Sequence, residues 1–395
     1  MELQKLVQDI LNHLNTVLQK PETGLDRRLL EQIDSQASGM RASLNALDEQ
    51  AANMFPEALK TSQRHDILIL LAQLIPSIQQ DPTPATDLIE RVIRPSSFIF
   101  DHVLNILPSA QLQLGLESEQ PSVNNVTLLL LAKAQHRLSD INWVATQRDI
   151  VHALITLWLA TPDTGVAQRA EDTIVSYLSV DVKDSRSDVD VTSSNNSMYR
   201  RIFRDKDIYG AIYSTCSLQE KSDDISRNQK TIAQGRLLSF LLRVRTSPTR
   251  TTQLAEFENK YLKRSETEVR GLLAFAVEHM VDYEDDVLVY VTYIEFCEQF
   301  IRDVPRDLPG SLSRELQYLI VCGTHDLCLK PYLAAASSAD TSVLATFASS
   351  ASAAYIRQYF RSYKEHARGN FELVSKLRRS IRDDLERARG AQVVC

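Results

Sequence analysis

Glycine is what this chain most nearly does without. It occurs 11 times in 395 residues and never twice in a row. Tight hairpin turns need residues that tolerate positive φ, and doubly wound sheets open their phosphate-binding turns with glycine. Sandwiches, barrels and dinucleotide folds are therefore disfavoured. Leu, Ala and Arg, among the residues used most, are helix formers, and Gln and Glu add to them.

The apolar residues repeat accordingly. Leu3, Leu6, Val7, Ile10, Leu11, Leu14, Val17 and Leu18 recur at helical spacing, and Pro21 and Gly24 end the run. Further helices are expected near 25–33, 40–54, 63–79, 97–107 and 123–138, punctuated by prolines at 56, 76, 82, 84, 95, 108 and 121. Residues 150–160 are apolar nearly all round, which predicts burial between neighbouring helices, with His152 a core histidine. A Thr161-Pro162-Asp163 turn follows, then a helix marked by Val166, Arg169, Ala170, Ile174 and Leu178. Helix, Asp-containing turn, then a helix opening with Val and Arg is the pattern of a HEAT repeat. A weaker copy is Leu262, Glu266, Val269, Arg270, Leu273 and Val277. One helix pair cannot bury its apolar face alone, so such pairs stack. The expected fold is all-α, a HEAT/armadillo-like α-solenoid over residues 1–395. Residues 181–197, rich in Asp, Ser, Val and Asn, are expected as a flexible loop.

Downstream, helices are expected near 198–203, 207–217, 230–243, 252–262, 311–322 and 341–366. Residues 287–294 read as a strand by propensity. Val287, Val291, Ile294, Cys297 and Ile301 nevertheless continue a helical stripe, and Glu284, Asp285 and Asp286 stand where a helix N-terminus favours negative charge. The helical reading is preferred. Residues 370–389 carry an apolar stripe and a basic outer face, as a C-terminal capping helix should.

The chemistry implied is that of binding. No P-loop, dinucleotide fingerprint, nucleophile elbow or metalloprotease helix occurs, so neither catalysis nor a cofactor is expected. Five irregularly spaced cysteines, all from Cys216 onward, point to free thiols in a reducing compartment. The first residues lack a signal peptide's basic start, and the apolar runs are too short to span a bilayer. A cytoplasmic protein is expected, with the nucleus also open to it. A net charge of −7 argues against nucleic acid as partner. Cys322, His325 and Cys328, with Cys297 as fourth ligand, raise a zinc reading, against which buried thiols at helical spacing are preferred. The acidic run 282–286 reads as a solvated turn that also caps the next helix.

The most distinctive string is Met198-Tyr199-Arg200-Arg201-Ile202-Phe203-Arg204-Asp205-Lys206-Asp207-Ile208-Tyr209. It reads as two short helices around an Asp-x-Asp turn. Asp205 or Asp207 caps the second helix, and Ile202, Phe203, Ile208 and Tyr209 pack the pair. Arg200 and Arg201 are either salt-bridged scaffold, the preferred reading, or donors facing a partner. Together with the helix end at residues 157–162, the string resembles a family of proteasome assembly chaperones that help build the base of the regulatory particle. Animal members are called non-ATPase subunit five, and fungal members carry mismatch-repair names. The specific likeness covers residues 150–218. It implies a solenoid whose concave side holds the C-terminal domain of one ATPase subunit, delaying its docking on the core particle, with no small-molecule substrate, membrane or nucleic acid involved. Tyr199, Arg200 and Arg201 are the first residues to test for partner contact. Two other readings stand beside it: a general HEAT scaffold such as a transport receptor or phosphatase adaptor, and a mismatch-repair factor acting on DNA. The DNA reading ranks last, because the chain lacks an ATPase motif and a basic stripe.

Overall fold

The computed structural model describes residues 2–26, 59–75, 83–94, 98–183, 197–217, 226–246, 286–302, 324–336 and 343–363, with a few single positions besides. Among the described residues every regular element is a helix, and the fold is all-α. The chain forms two compact units, Met1–Ala211 and Ile212–Cys395. No helix among the described residues is long and apolar enough to cross a membrane. The helices expected at 40–54, 252–262 and 311–322, the weaker HEAT copy and the capping helix 370–389 fall outside the described residues or at isolated positions within them. Of the expected loop, residues 181–183 and 197 are helical, and 184–196 lie outside the described residues.

In the first unit, α1 is Glu2–Gln19, α2 Thr61–Leu74, α3 Thr83–Ile93, α4 Phe100–Ile106, α5 Ser109–Leu116 and α6 Pro121–Ala132. A 3-10 turn, Lys133–His136, leads to α7 (Leu138–Thr146), α8 (Arg148–Ala160), α9 (Thr164–Lys183) and α10 (Ser197–Arg204). Helix α1 buries Leu6, Val7, Ile10, Leu14 and Val17 against α2, and Gly24 beyond it takes a positive φ of 66°. Prolines serve as helix starts: Pro121 is the first residue of α6 and Pro84 the second of α3, where a missing N–H costs nothing.

Two helical hairpins organise the centre of this unit. Helices α5 and α6 lie so close that a Cβ at Gly115 would overlap Thr127 Oγ1. The buried Asn124 amide of α6 donates to the carbonyls of Gly115, Leu116 and Ser118 at 3.0, 3.1 and 2.9 Å, which satisfies the C-terminal end of α5. In the second hairpin Asp163 caps α9 by accepting from Val166 N at 2.8 Å, as a helix N-cap requires. Val166, Ala170, Ile174 and Leu178 form its fully buried stripe. Helix α8 buries Trp158 completely and packs on both α9 and α5, while α9 packs on α6 and α6 on α3. Tyr177 locks α9 to the end of α6 by donating to Leu131 O at 2.5 Å, and burial pushes its hydroxyl pKa upward.

His152 departs from expectation. It is exposed, in line with Arg148 and Thr156, because spacing of four places all three on the outer face of α8. The buried face instead runs through Val151, Leu154, Ile155 and Trp158.

Helix α11 (Lys206–Cys216) ends in the second unit, which continues with α12 (Arg227–Thr246), α13 (Val287–Arg302), α14 (Thr324–Ala336) and α15 (Val343–Ser362). The strand-like run 287–294 is helical, as its stripe predicted. Asp286 caps α13 by accepting from Val289 N at 3.1 Å, and its other oxygen accepts from Thr231 of α12 at 2.6 Å. Ile294, Cys297 and Ile301 are buried, whereas Val287 and Val291 are only half-buried, because the core face is centred on Tyr290 and Tyr293. Pro331 sits inside α14 and has no N–H to give the carbonyl four residues back. That carbonyl, of Leu327, accepts instead from the Tyr290 hydroxyl at 2.7 Å.

Candidate partner-binding site

Helices α10 and α11 carry the distinctive string, and α10 packs on α7, α9 and α8. The amphipathic spacing decides which side chains point inward. Met198, Ile202, Phe203 and Ile208 are buried, and the Tyr199 ring lies against Phe203 with centroids 4.8 Å apart. Ser197 hydrogen-bonds Asn142 of α7 at the start of the hairpin.

The turn between α10 and α11 is held by charge. Arg201 donates from Nε to Ala145 O at 2.6 Å, occupying a carbonyl at the C-terminal end of α7 where a cation is favoured. Its Nη1 lies 2.6 Å from Asp205 Oδ2. Arg148, at the start of α8, reaches the same carboxylate at 3.3 Å and also pairs with Asp207. Asp205 Oδ1 accepts from Asp207 N at 3.1 Å, so of the two candidate aspartates Asp205 is the cap of α11. One carboxylate thus joins two arginines from different helices and a helix N-terminus.

Of the three residues singled out for partner contact, Arg201 is committed to the scaffold. Tyr199 is half-buried, and Arg200 is exposed. Beside them Lys206 and Asp207 are exposed and Tyr209 is half-buried, leaving aromatic rings among charges of both signs. Tyr and Arg are enriched at protein contacts whereas Lys and Asp are depleted there, so this surface is mixed in composition. Arg148 was not visible in the sequence as a member of this site. It lies more than fifty positions from Asp205, and nothing in the spacing of the string points to it.

The zinc reading has a different outcome at each residue. Cys322 lies outside the described residues. His325 is buried, with Nδ1 2.7 Å from the Tyr355 hydroxyl and its ring edge-on to Tyr359. Cys328 is fully buried beside Cys297, and burial pushes its thiol pKa well up, the condition of an unreactive thiol. Among the described residues no three His, Cys, Asp or Glu side chains are grouped as metal ligands.

Compared with models of known protein families, with curated proteins and with solved structures, the chain shows no match.

Proposed function

We propose that this chain is a helical-repeat binding protein of the proteasome base-assembly kind, an α-solenoid that holds the C-terminal domain of one base ATPase subunit. The observation that carries the architecture is the recurrence of one packing unit. The α5–α6 hairpin is followed by the α8–α9 hairpin, with α8 on α5 and α9 on α6. From Ser109 to Arg148 is 39 residues and from Pro121 to Thr164 is 43, close to the roughly 40–47-residue HEAT period. A stack of this kind presents successive helices as an extended surface for another protein. The choice of client rests on the resemblance centred on residues 198–209. Neither catalysis nor a bound cofactor belongs to this function, and a cytoplasmic location with access to the nucleus fits the client.

The internal use of Arg201 and Asp205 favours a second reading, a general HEAT scaffold, because it explains the string by folding alone. A pull-down with each purified base ATPase C-terminal domain, at physiological salt, separates the two. Retention of one domain, weakened by Arg200→Ala, is expected. If the folded chain retains none of them, the general scaffold replaces the chaperone. Steep salt-dependent binding to duplex DNA would instead revive the mismatch-repair reading.

A further inference from the structure

The first unit contains a cavity of about 440 Å³ that the partner reading leaves unused. This is within the roughly 300–1,000 Å³ range of small-molecule sites. Its two walls differ in kind. Among the described residues the wall contributed by α2, α3 and α4 with their flanks is apolar, with Leu68, Ile75, Ile89 and Val103 among its residues. All the polar groups, Gln111, Ser118, Gln120 and Thr127, come from α5, the α5–α6 turn and α6. Among the described residues no charged side chain lines the cavity.

The disposition of the polar groups narrows the occupant. Thr127 spends its hydroxyl proton on Val123 O at 2.9 Å, and Ser118 Oγ accepts from Gln120 N at 3.2 Å. The side chains of Gln111 and Gln120 are exposed, and each carboxamide offers a donor and an acceptor. Leu114, on the same wall, is 65% exposed, the kind of apolar surface that an alkyl chain entering the cavity would cover. A hydrocarbon chain fits the interior, and an uncharged head that both donates and accepts fits the carboxamides. A carboxylate or ammonium head would find no counter-charge there.

We propose that this cavity is a binding site for a neutral amphiphile, a single alkyl chain with a hydroxyl, ester or amide head. The site is independent of the partner surface on α10 and α11. The test is calorimetric titration of the full chain with 1-decanol and, separately, with decanoate at neutral pH, each below its aggregation limit. Saturable one-site binding of decanol is expected, with decanoate at least about tenfold weaker because its charge gains no partner. Ala72→Phe and Ile106→Trp, at half-buried lining positions on different helices, should each weaken decanol binding about tenfold or more while the helical circular dichroism is kept. Absence of saturable decanol binding to the folded wild-type chain overturns the proposal. So does decanoate binding as tight as decanol, or decanol binding that both substitutions leave unchanged.

Discussion

Gly115 shows how much a missing side chain can matter. Helix α5 approaches α6 so closely that a methyl group there meets Thr127, whose β-branched side chain is already tied to Val123 O. Gly115→Ala should lower stability by about 1–3 kcal/mol through overpacking, although alanine is the better helix former. Urea denaturation measures this. At Pro331 the deficit is a proton, and Tyr290 makes it good. Tyr290→Phe should cost about 1 kcal/mol, and the cost should shrink in a Pro331→Ala background, where the helix supplies its own N–H. A double-mutant cycle reads that coupling directly. Tyrosines also set the alkaline limit. Burial raises the hydroxyl pKa of Tyr177 and Tyr355, and pushes that of Tyr359 up to about 12. The unfolded chain ionises these groups near their ordinary value, so their stabilising effect is complete below about pH 10 and is lost as pH rises further. Ultraviolet titration should show a late set of tyrosines that ionises together with unfolding.

At the scale of elements, the long amphipathic helices were legible, as were the short α4, α10 and α11, whereas other short ones were not. Helices α1, α9, α12 and α15 follow stripes that recur over four or more turns, and the four apolar positions read for α9 are all buried, with Arg169 beside them half-buried. Helices α3, α5 and α7 were missed. Each is 8 to 11 residues long, and Pro84 and Pro108, read as breaks, instead stand at helix starts. Helix α14 was missed because Pro331 lies inside it. The same limit applied to the site. The cap at Asp205 was readable as one of two candidates, since it lies within the string. The contacts of Arg201 with Ala145 and of Arg148 with Asp205 join residues more than fifty apart, and no local pattern encodes them. These contacts make the α10–α11 hairpin respond unevenly to substitution. Asp205→Ala removes the helix cap and the partner of two arginines, and should cost about 1–2 kcal/mol from the cap alone. Arg200→Ala should stay within about 0.5 kcal/mol of wild type in stability. Thermal unfolding of both variants tests the contrast.

Across the first unit, packing accumulates towards the middle of the stack. Helices α8 and α9 each touch helices before and after them, whereas α1 packs chiefly on α2. Hydrogen exchange should therefore be slowest in α8 and α9 and faster in α1, because opening a central helix breaks interfaces on both sides. Equal protection in all three would show that the unit opens only as a whole. The arginine–aspartate cross-link at the α10–α11 turn has a further consequence, for how such proteins diverge. The string that most distinguishes this chain is spent on holding two helices to their neighbours, with only its outer positions left to meet other molecules. Selection for folding alone would preserve Arg201 and Asp205, while the exposed Arg200 and Lys206 could drift. Two proteins could share this string, and the helix packing it secures, yet differ in function.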